Sequence, residues 1–168
     1  MNETSFAWPV GRIDKMHVVL VEPEIPQNTG NIARTCVMSA TTLHLVGKLG
    51  FSLDDRHLRR AGLDYWPYLT FYHYRNFDDF LSFNRGGNYY FFTTKAQKRY
   101  TEITYRPDDF LVFGKETAGL PPELLKEWKD YCLRIPMVGE IPRSLNLSNA
   151  VAIVLYEALR QQGFPGMR

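Results

Sequence analysis

Three short segments of this sequence contain side chains that could bind a ligand or take part in catalysis. The first is residues 28–34, Asn-Thr-Gly-Asn-Ile-Ala-Arg, in which Arg34 could direct a guanidinium fork at a phosphate or a ribose. We expect Gly30 to let the chain turn sharply into a helix, with Asn28 and Thr29 as its caps. A capped helix with an arginine on its surface would have the same sequence, so this segment alone leaves both interpretations open.

The second segment, residues 114–120, holds a single carboxylate between two glycines. It follows an apolar run directly and reads Gly-Lys-Glu-Thr-Ala-Gly-Leu. Glycines at the end of a strand favour a close approach of the backbone to a ligand, which would place Glu116 beside that ligand. A plain turn before a helix that starts with two prolines is the alternative.

The third segment joins an apolar loop to a cluster of polar side chains. The apolar part is Ile135-Pro136-Met137. Polar residues follow this loop at the start of the last predicted helix. Because one cap is enough for a helix, the additional polar groups could bond a ligand instead. Such a loop beside Ser and Asn side chains suits a flat heteroaromatic ring and a ribose, although a well-capped core helix is the alternative. Four polar residues crowd the start of the last predicted helix: Ser144, Asn146, Ser148 and Asn149.

The elements that must position these segments follow from the apolar patterns along the chain. Six apolar runs predict strands at Met16–Val21, Thr42–Val46, Leu69–Tyr74, Asn88–Thr94, Asp109–Phe113 and Tyr131–Ile135. Helical patterns predict helices at Gly30–Ser39, Ser52–Arg60, Phe77–Phe83, Pro121–Trp128 and Leu147–Gln162. Two prolines predict a loop at Glu22–Thr29. This alternation predicts a single-domain α/β fold, with a mostly parallel sheet and helices on both faces. Because parallel strands end at one edge, where ligands bind, the three segments are expected to meet there.

Composition limits the class of protein. The chain has 168 residues, 45% of them hydrophobic and 23% charged, which fits one folded domain and excludes a wholly disordered chain. We expect residues 1–15 to be an N-terminal extension and residues 16–168 to be the domain. No apolar run is long enough for a membrane helix, and residues 1–15 lack the apolar stretch of a signal peptide, so we expect no membrane contact and a cytoplasmic location. Cys36 and Cys132 lie in apolar segments and are predicted to be buried free thiols.

Nucleic-acid binding would have to come from local clusters of charge, because the net charge is only +2. Aromatic side chains beside such clusters favour RNA contact, whereas a solvated charged face is the alternative. One cluster is Arg56, His57, Arg59 and Arg60. The other is Lys95, Lys98 and Arg99, with Tyr100 and Tyr105 nearby.

Several common chemistries lack support in the sequence. No strand is followed by GxGxxG, so a nicotinamide oxidoreductase is unsupported, and the phosphate-binding GxxxxGK[ST] and the hydrolase GxSxG are also absent. The histidines and cysteines have no metal-ligand spacing, so we predict no metal site. A lone histidine such as His44 on a strand is expected to be a satisfied structural group.

The three segments together resemble the signature motifs of the SPOUT class of RNA methyltransferases, in its SpoU-like branch. The matching motifs are NxGNxxR at Asn28–Arg34, FGxExxGL at Phe113–Leu120 and IPM…SLNLSNA at Ile135–Ala150. The resemblance covers Met16 to about Gly166. Segments such as VEPEIPQNTGNIAR and RRAGLDYW look like the small single-domain members, which are 2′-O-methyltransferases of the tRNA wobble nucleotide.

That resemblance implies properties that the patterns themselves do not. It implies a C-terminal trefoil knot, bound S-adenosylmethionine, a homodimer with Tyr156 at its interface, and methylation of cytidine or uridine 34 in tRNAs of the leucine type. Arg34 matches the family's proposed catalytic arginine, and Asn28, Glu116 and Asn146 join it as candidate catalytic residues. The implied cofactor pocket consists of Phe92, Gly114, Glu116, Ile135, Met137, Ser144 and Asn146.

The alternatives are a 2′-O-methyltransferase for another tRNA or rRNA nucleotide, and a non-catalytic RNA-binding module. Methyl transfer from a sulfonium requires no metal, because the leaving group is neutral. Positioning of the ribose hydroxyl would supply much of the rate, on the order of 7–11 kcal/mol. We expect Arg34 to clamp a phosphate and to stabilise the developing alkoxide.

Overall fold

A computed structural model describes residues 15–54, 56, 58, 60 and 64–168 of the chain. Within these residues all six predicted strands are present, and all except the second are shorter than predicted. The strands are β1 (His17–Val21), β2 (Thr42–Val46), β3 (Phe71–Tyr74), β4 (Tyr89–Phe92), β5 (Phe110–Phe113) and β6 (Cys132–Leu133). They form one sheet in the order β3-β2-β1-β5-β4-β6, and every neighbouring pair is parallel. The predicted α/β class and the mostly parallel sheet are therefore confirmed.

Four α-helices have both ends within the described residues; the first three connect strands and the fourth follows β6. They are α1 (Pro26–Met38), α2 (Phe77–Phe83), α3 (Pro122–Glu127) and α4 (Leu147–Gln161), with 3₁₀ turns at Trp66–Tyr68 and Lys129–Tyr131. The side chain of Asn76 caps α2, because its oxygen accepts a hydrogen bond from the backbone N–H of Asp79 at 2.8 Å. Within the described residues, no helix combines the length and the apolar character that a membrane crossing requires.

The start of α1 differs from the prediction. The helix begins at Pro26, so the predicted loop Glu22–Thr29 ends at Ile25, which is the N-cap and provides no side-chain cap. Proline fits the first helical position because its ring fixes φ near the helical value and its missing N–H has no partner there. Asn28 and Thr29 consequently lie inside the first turn and are not caps, and Gly30 is an ordinary buried helical residue.

The sheet is covered on both faces, as predicted. On one face α1 and α4 pack against inward side chains of the central strands, with Ile32, Cys36, Val151 and Leu155 among the fully buried residues. On the other face Phe80 of α2 and residues of α3 pack against alternate strand positions. This alternation follows from the period of two along a strand, which sends successive side chains to opposite faces.

The segment between β2 and β3 is described only in part. Arg56, Leu58 and Arg60 are helical, with Leu58 fully buried and both arginines exposed. The hydroxyl of Ser52 accepts a hydrogen bond from the N–H of Asp54 at 3.2 Å. Three residues of the predicted helix Ser52–Arg60, namely Asp55 and the cluster residues His57 and Arg59, lie outside the described residues, as do residues 1–14.

The buried His44 is a structural group, as the sequence predicts. Its ring nitrogens lie 3.0 Å from Nδ1 of His17 and 3.1 Å from the hydroxyl of Tyr74. Burial, together with the neighbouring His17, holds the pKa of His44 well below its usual value.

Both cysteines are free thiols. Cys36 is fully buried, and that burial raises the pKa of its thiol. Cys132 is only partly buried, so the prediction of burial was wrong for it. It opens β6, and its Sγ lies 3.4 Å from the carbonyl oxygen of Trp128.

Candidate active site

The carboxylate of Glu116 ties the loop after β5 to the start of α1. Its Oε2 accepts a hydrogen bond from the N–H of Glu24 at 2.8 Å, and its Oε1 accepts one from the N–H of Ile25 at 3.0 Å. The side-chain amide of Asn28 donates a third, at 3.2 Å. Hydrogen bonds to a charged acceptor are the stronger kind, so this carboxylate fixes where α1 begins.

The same two loops are joined in the opposite direction. The carboxylate of Glu24 accepts hydrogen bonds from the N–H of Thr117 at 3.1 Å and from its hydroxyl at 2.8 Å. Nζ of Lys115 lies 3.4 Å from Oε2 of Glu22. Glu24 and Thr117 are not among the residues that the sequence singles out. The one signal for Glu24 was an acidic residue between two prolines at the end of a buried strand.

The third segment meets the other two through Asn28. The oxygen Oδ1 of Asn28 accepts a hydrogen bond from the amide of Asn146 at 3.0 Å. Asn146 in turn caps α4, since its Oδ1 accepts hydrogen bonds from the N–H of Ser148 at 2.9 Å and from its hydroxyl at 2.6 Å. A continuous chain of contacts thus runs from Glu116 through Asn28 to Asn146. We call Glu24, Asn28, Glu116, Thr117 and Asn146 the loop junction.

The predicted convergence of the three segments is therefore confirmed, although the interpretation of the polar cluster changes. Ser148 bonds to Asn146, so part of the apparent excess of polar groups belongs to the cap itself. Ser144 takes no part in that cap and lies exposed in the preceding loop.

Gly114 has a different role from the one predicted. A Cβ at this position would lie 2.1 Å from the carbonyl carbon of Gly119 and 2.2 Å from the nitrogen of Leu120. Gly119 has a φ of +69° and donates its N–H to the carbonyl of Lys115, which closes a tight turn. The close approach that requires glycine here is thus to the chain's own backbone, which explains the residue type without a ligand.

A cavity of about 430 Å³ opens beside the loop junction, between the ends of β4 and β6. It is lined by Thr94, Arg134, Ile135, Met137, Val138, Gly139, Ile141, Pro142, Arg143 and Ser144. A second opening of about 520 Å³ shares five of these residues and adds Pro136 and Leu145. We call residues 136–145, most of which line one or both openings, the cavity loop.

Three of the predicted cofactor residues line these openings, and four do not. Ile135, Met137 and Ser144 are in the lining. Phe92 is buried at the end of β4, where its ring stacks on that of Phe113 with centroids 4.7 Å apart. The remaining three, Gly114, Glu116 and Asn146, are outside the lining and make their contacts between the loops, as described above.

Arg34 projects from α1 into solvent. It lies six residues beyond Asn28, which is about 9 Å along the helix axis. Its guanidinium carbon is 4.8 Å from the centroid of the Tyr65 ring. Because Asn28 is held by the loop junction, the position of Arg34 depends on the same hydrogen bonds.

The sequence model of a known protein family matches this chain over most of its length. The SpoU rRNA Methylase family model covers residues 15–156. The chain belongs to the SpoU methylase family.

Relatives of this SpoU methylase span nearly the whole chain. A Geobacillus stearothermophilus protein, provisionally named a tRNA (cytidine(34)-2′-O)-methyltransferase, is 52% identical over 155 residues, which are 90% of this chain and 98% of the relative. A solved structure described as giving insights into the 2-OH methylation of C/U34 on tRNA is 43% identical, with a TM-score of 0.84, over 89% of this chain and 97% of that one.

A further solved structure contains the cofactor. It is the SpoU methyltransferase AviRb from Streptomyces viridochromogenes in complex with AdoMet, and it is 25% identical to this chain with a TM-score of 0.80. The match covers 92% of this chain and 62% of that one. The family predicted from the three motifs is confirmed by these comparisons.

The cavity of this SpoU methylase has the size and chemistry of a small-molecule site. Its volume lies within the range of about 300–1,000 Å³ that is usual for such sites. Apolar side chains such as Ile135 and Met137 can contact a flat ring, and the Ser144 hydroxyl and backbone amides can bond a polar ligand. In the described part of the chain, no group of three or more His, Cys, Asp or Glu side chains could hold a metal ion.

The described cations of both predicted clusters are exposed. Arg56 and Arg60 lie four residues apart on one helical face, and Lys95, Lys98 and Arg99 follow β4. The aromatic neighbours of the second cluster differ from the expectation. Tyr105 is buried and its hydroxyl donates a hydrogen bond to the carbonyl of Tyr100 at 2.6 Å, so its ring cannot stack on an RNA base. Burial also raises the pKa of that hydroxyl.

Proposed function

We propose that this chain transfers a methyl group from S-adenosylmethionine to the 2′-hydroxyl of cytidine or uridine 34 in tRNA of the leucine type. One juxtaposition carries the proposal. Ser144 lines the cavity, and Asn146, two residues later, is hydrogen-bonded to Asn28 on the helix that carries Arg34. A cofactor cavity and a candidate catalytic arginine are thus held on one framework. The names of the relatives supply the substrate.

The cavity residues support S-adenosylmethionine as the cofactor. Ile135 and Met137 would contact the adenine ring, and Ser144 would bond polar atoms of the ligand. Phe92, Gly114, Glu116 and Asn146 would act from behind the wall by holding the ends of the strands and the start of α4. When bound, S-adenosylmethionine supplies a methyl group on a positively charged sulfur, which leaves as a neutral thioether.

The chain itself must bring the ribose hydroxyl into line and stabilise its oxygen as the proton is lost. A guanidinium is always protonated near neutral pH, so Arg34 cannot serve readily as a base. We assign it to hold a neighbouring phosphate and to stabilise negative charge on the 2′-oxygen. The hydroxyl would lose its proton to solvent as its oxygen takes the methyl group, and Arg34 would stabilise the negative charge that develops on that oxygen.

We assign Glu116 and Asn28 to positioning. Both oxygens of Glu116 already accept hydrogen bonds, and the amide of Asn28 links Glu116 to Asn146. These contacts hold α1 at a defined place relative to the cavity wall. Positioning of this kind converts a bimolecular step into an effectively unimolecular one, which is where much of the rate enhancement arises.

We further propose that a second copy of the chain covers the outer face of α4. Ile153 and Tyr156 are exposed on that helix, and the ring of Phe164 lies 6.4 Å from that of Tyr156. An apolar face of this kind suits a two-fold interface, in which the same patch meets itself. Sedimentation equilibrium of the wild type and of Tyr156→Asp tests this, because we expect a dimer and a monomer respectively. A monomeric wild type at micromolar concentration would contradict it.

The trefoil knot and the cytoplasmic location remain predictions from the resemblance.

The exposed arginines Arg56 and Arg60 are proposed to contact RNA phosphates, together with Lys95, Lys98 and Arg99. Contacts to phosphates release counterions, so each lost cation should weaken tRNA binding and reduce its salt dependence. The double variant with Arg56→Gln and Arg60→Gln tests the first cluster by its tRNA affinity at several salt concentrations. Lys126→Gln on α3 is the matched control. An unchanged salt dependence in the double variant would assign RNA contact to another surface.

The decisive experiment is methyl transfer to a tRNA transcript in which nucleotide 34 carries either ribose or 2′-deoxyribose. We expect one methyl group on nucleotide 34 of the ribose form and none on the deoxyribose form, measured by mass spectrometry of nuclease fragments. Methylation of the deoxyribose form would place the methyl on a base or elsewhere. No methylation of either form, with S-adenosylmethionine bound in calorimetry, would point to another RNA substrate. Absence of cofactor binding would favour an RNA-binding module.

The role of Arg34 has its own test. Arg34→Lys keeps the charge but loses the planar fork of donors. We expect kcat to fall at least about tenfold, which corresponds to about 1.4 kcal/mol of transition-state stabilisation, with cofactor affinity unchanged. Turnover near that of the wild type would show that the role assigned to Arg34 is wrong.

A further inference from the structure

Among the residues that the structure describes, the guanidinium of Arg34 has an aromatic neighbour and no carboxylate partner. Among the described residues, no carboxylate or carbonyl oxygen accepts a hydrogen bond from this side chain. Its one close contact of known geometry is the ring of Tyr65, whose centroid lies 4.8 Å from the guanidinium carbon. That distance is within the range of a cation–π interaction.

The segment that carries Tyr65 is held by a hydrogen bond and by packing against the core. It precedes the 3₁₀ turn Trp66–Tyr68, and its carbonyl accepts a hydrogen bond from the N–H of Tyr68 at 2.9 Å. Trp66 is packed against the core that contains α1 and α4, and its ring lies 5.1 Å from that of Phe71 in β3. The turn is therefore anchored to the edge of the sheet, and the ring of Tyr65 has a defined place beside α1.

The choice of an aromatic partner has a chemical consequence. A carboxylate in this place would take up guanidinium donors and neutralise the charge. The face of a ring attracts the cation and uses none of its five N–H groups. Arg34 can therefore be held in one place while its donors stay available for a phosphate or for a ribose oxygen.

We propose that Tyr65 is a positioning residue for methyl transfer, which acts by holding Arg34 through the face of its ring. The inference rests on the proposed function, because Arg34 is its target. It adds a residue from the β2–β3 connection to a site that is otherwise built from segments at the ends of β1, β4, β5 and β6. Tyr65 itself contacts neither the cavity nor the loop junction.

The first test compares substitutions at two tyrosines of the same turn. Tyr65→Leu removes the ring face, and Tyr65→Phe keeps it. Tyr68→Leu is the matched control, because Tyr68 is 76% exposed and the cation–π contact of Arg34 is with Tyr65. Cation–π contacts at exposed sites correspond to about a two- to fivefold effect on rate. We expect Tyr65→Leu to lower kcat by that factor with the KM for S-adenosylmethionine unchanged, and the other two variants to stay near the wild type.

The second test asks whether Tyr65 acts through Arg34. In a double-mutant cycle with Arg34→Gln, the effect of Tyr65→Leu on kcat should vanish, since the cation that the ring holds is gone. An equal loss of kcat in both backgrounds would overturn the inference and indicate direct contact of Tyr65 with substrate. A fall in Tyr65→Phe as large as that in Tyr65→Leu would overturn it too.

A spectroscopic measurement checks the contact without turnover. The Nε–H resonance of Arg34, assigned by its loss in Arg34→Lys, should carry a ring-current shift that persists in Tyr65→Phe and disappears in Tyr65→Leu. An unmoved resonance would contradict the inference. A wild-type chain that transfers no methyl group would contradict the proposed function, and this inference with it. Normal transfer with uncoupled variants would contradict the inference alone.

Discussion

The loop junction and the cavity loop are adjacent in sequence, since the loop ends at Leu145 and Asn146 belongs to the junction, yet they differ in how they are held. Polar side chains of the junction bond across loops that are 88 to 118 residues apart in the chain. In the cavity loop, by contrast, residues 136–145 form no hydrogen bond with the rest of the described chain, and Val138 and Ile141 are 69% and 60% exposed. The junction is therefore preformed, whereas the loop has apolar surface available for a ligand.

This difference indicates separate roles: the loop junction stabilises the fold, and the cavity loop binds a ligand. Segments with few buried contacts and few hydrogen bonds open at low cost in free energy, and lids and ligand-binding loops come from such segments. The junction keeps α1 in place without help from any ligand. We expect the cavity loop to gain most of its contacts only when a ligand fills the cavity. Substitutions in the junction should consequently reduce stability, and substitutions in the cavity loop should reduce ligand affinity.

The largest expected difference is between two glycines. Gly114→Ala would drive a Cβ into the backbone at Gly119 and Leu120, and should lower the free energy of unfolding by about 3 kcal/mol. Gly139→Ala in the cavity loop is the control, because a Cβ there would meet nothing within 4 Å. Urea denaturation measures both. A stable Gly114→Ala variant would show that the turn after β5 can move and that the junction is not rigid.

The next largest effect is expected on stability and activity when Glu116 of the loop junction is replaced, in comparison with Glu140 of the cavity loop. Glu116→Ala would leave three donors of the junction without their acceptor, and since water can partly replace it at this half-buried site, the loss of stability should be about 2 kcal/mol. Methyl transfer should fall at least about tenfold, because a small displacement of a catalytic group is costly. Glu140→Ala, in the exposed cavity loop, should change the free energy of unfolding by less than about 0.5 kcal/mol. Equal stabilities of the two variants would remove the contrast between the regions.

A substitution in the cavity loop should show the opposite pattern. Ile141→Ala should leave the free energy of unfolding unchanged within about 0.5 kcal/mol, because the side chain is exposed. Its Kd for S-adenosylhomocysteine in calorimetry should rise about fivefold, since apolar surface that the ligand would cover is lost. Phe83→Ala, another exposed apolar side chain on α2, is the control and should leave the Kd unchanged. A destabilised Ile141→Ala with normal affinity would reverse the assignment of the loop.

The smallest expected effect is on the pH dependence of the free energy of unfolding. It comes from the buried His44, which belongs to neither region. Its pKa is depressed in the folded state, so below the ordinary value of 6.5 the unfolded chain binds more protons and stability falls with falling pH. Between pH 6.5 and 5.5 the loss should be about 1 kcal/mol. His44→Gln should flatten this dependence, whereas His73→Gln on the exposed edge of β3 should not. A pH dependence that is unchanged in His44→Gln would assign it to other groups, of which His17 is the nearest.

Local sequence rules succeeded where the answer depends on neighbours along the chain. All six strands were predicted because runs of apolar residues must be buried, and Asn146 was placed at the start of α4 because a cap acts within its own turn. The start of α1 was misplaced for the same local reason. Pro26 stops a helix that precedes it but suits a helix that begins with it, and the sequence does not say which applies.

The candidate site was predictable only as a set of segments. Their order along the strands indicated one edge of the sheet, which proved right. The pairing of Glu24 with Thr117, and the close packing that requires Gly114, could not be predicted, because both depend on distances between loops. Tyr65 likewise gives no sign in the sequence that it would contact Arg34.

By itself the sequence determined the class of fold, the family and the segments from which the site is made, because periodicity and motifs are properties of consecutive residues. Only the tertiary structure decided that Glu116, Asn28 and Asn146 share one chain of hydrogen bonds and that the ring of Tyr65 lies beside the charge of Arg34. The physical reason is that a hydrogen bond or a cation–π contact depends on ångström distances between remote residues. Those distances exist only after the sheet has brought the strand ends together.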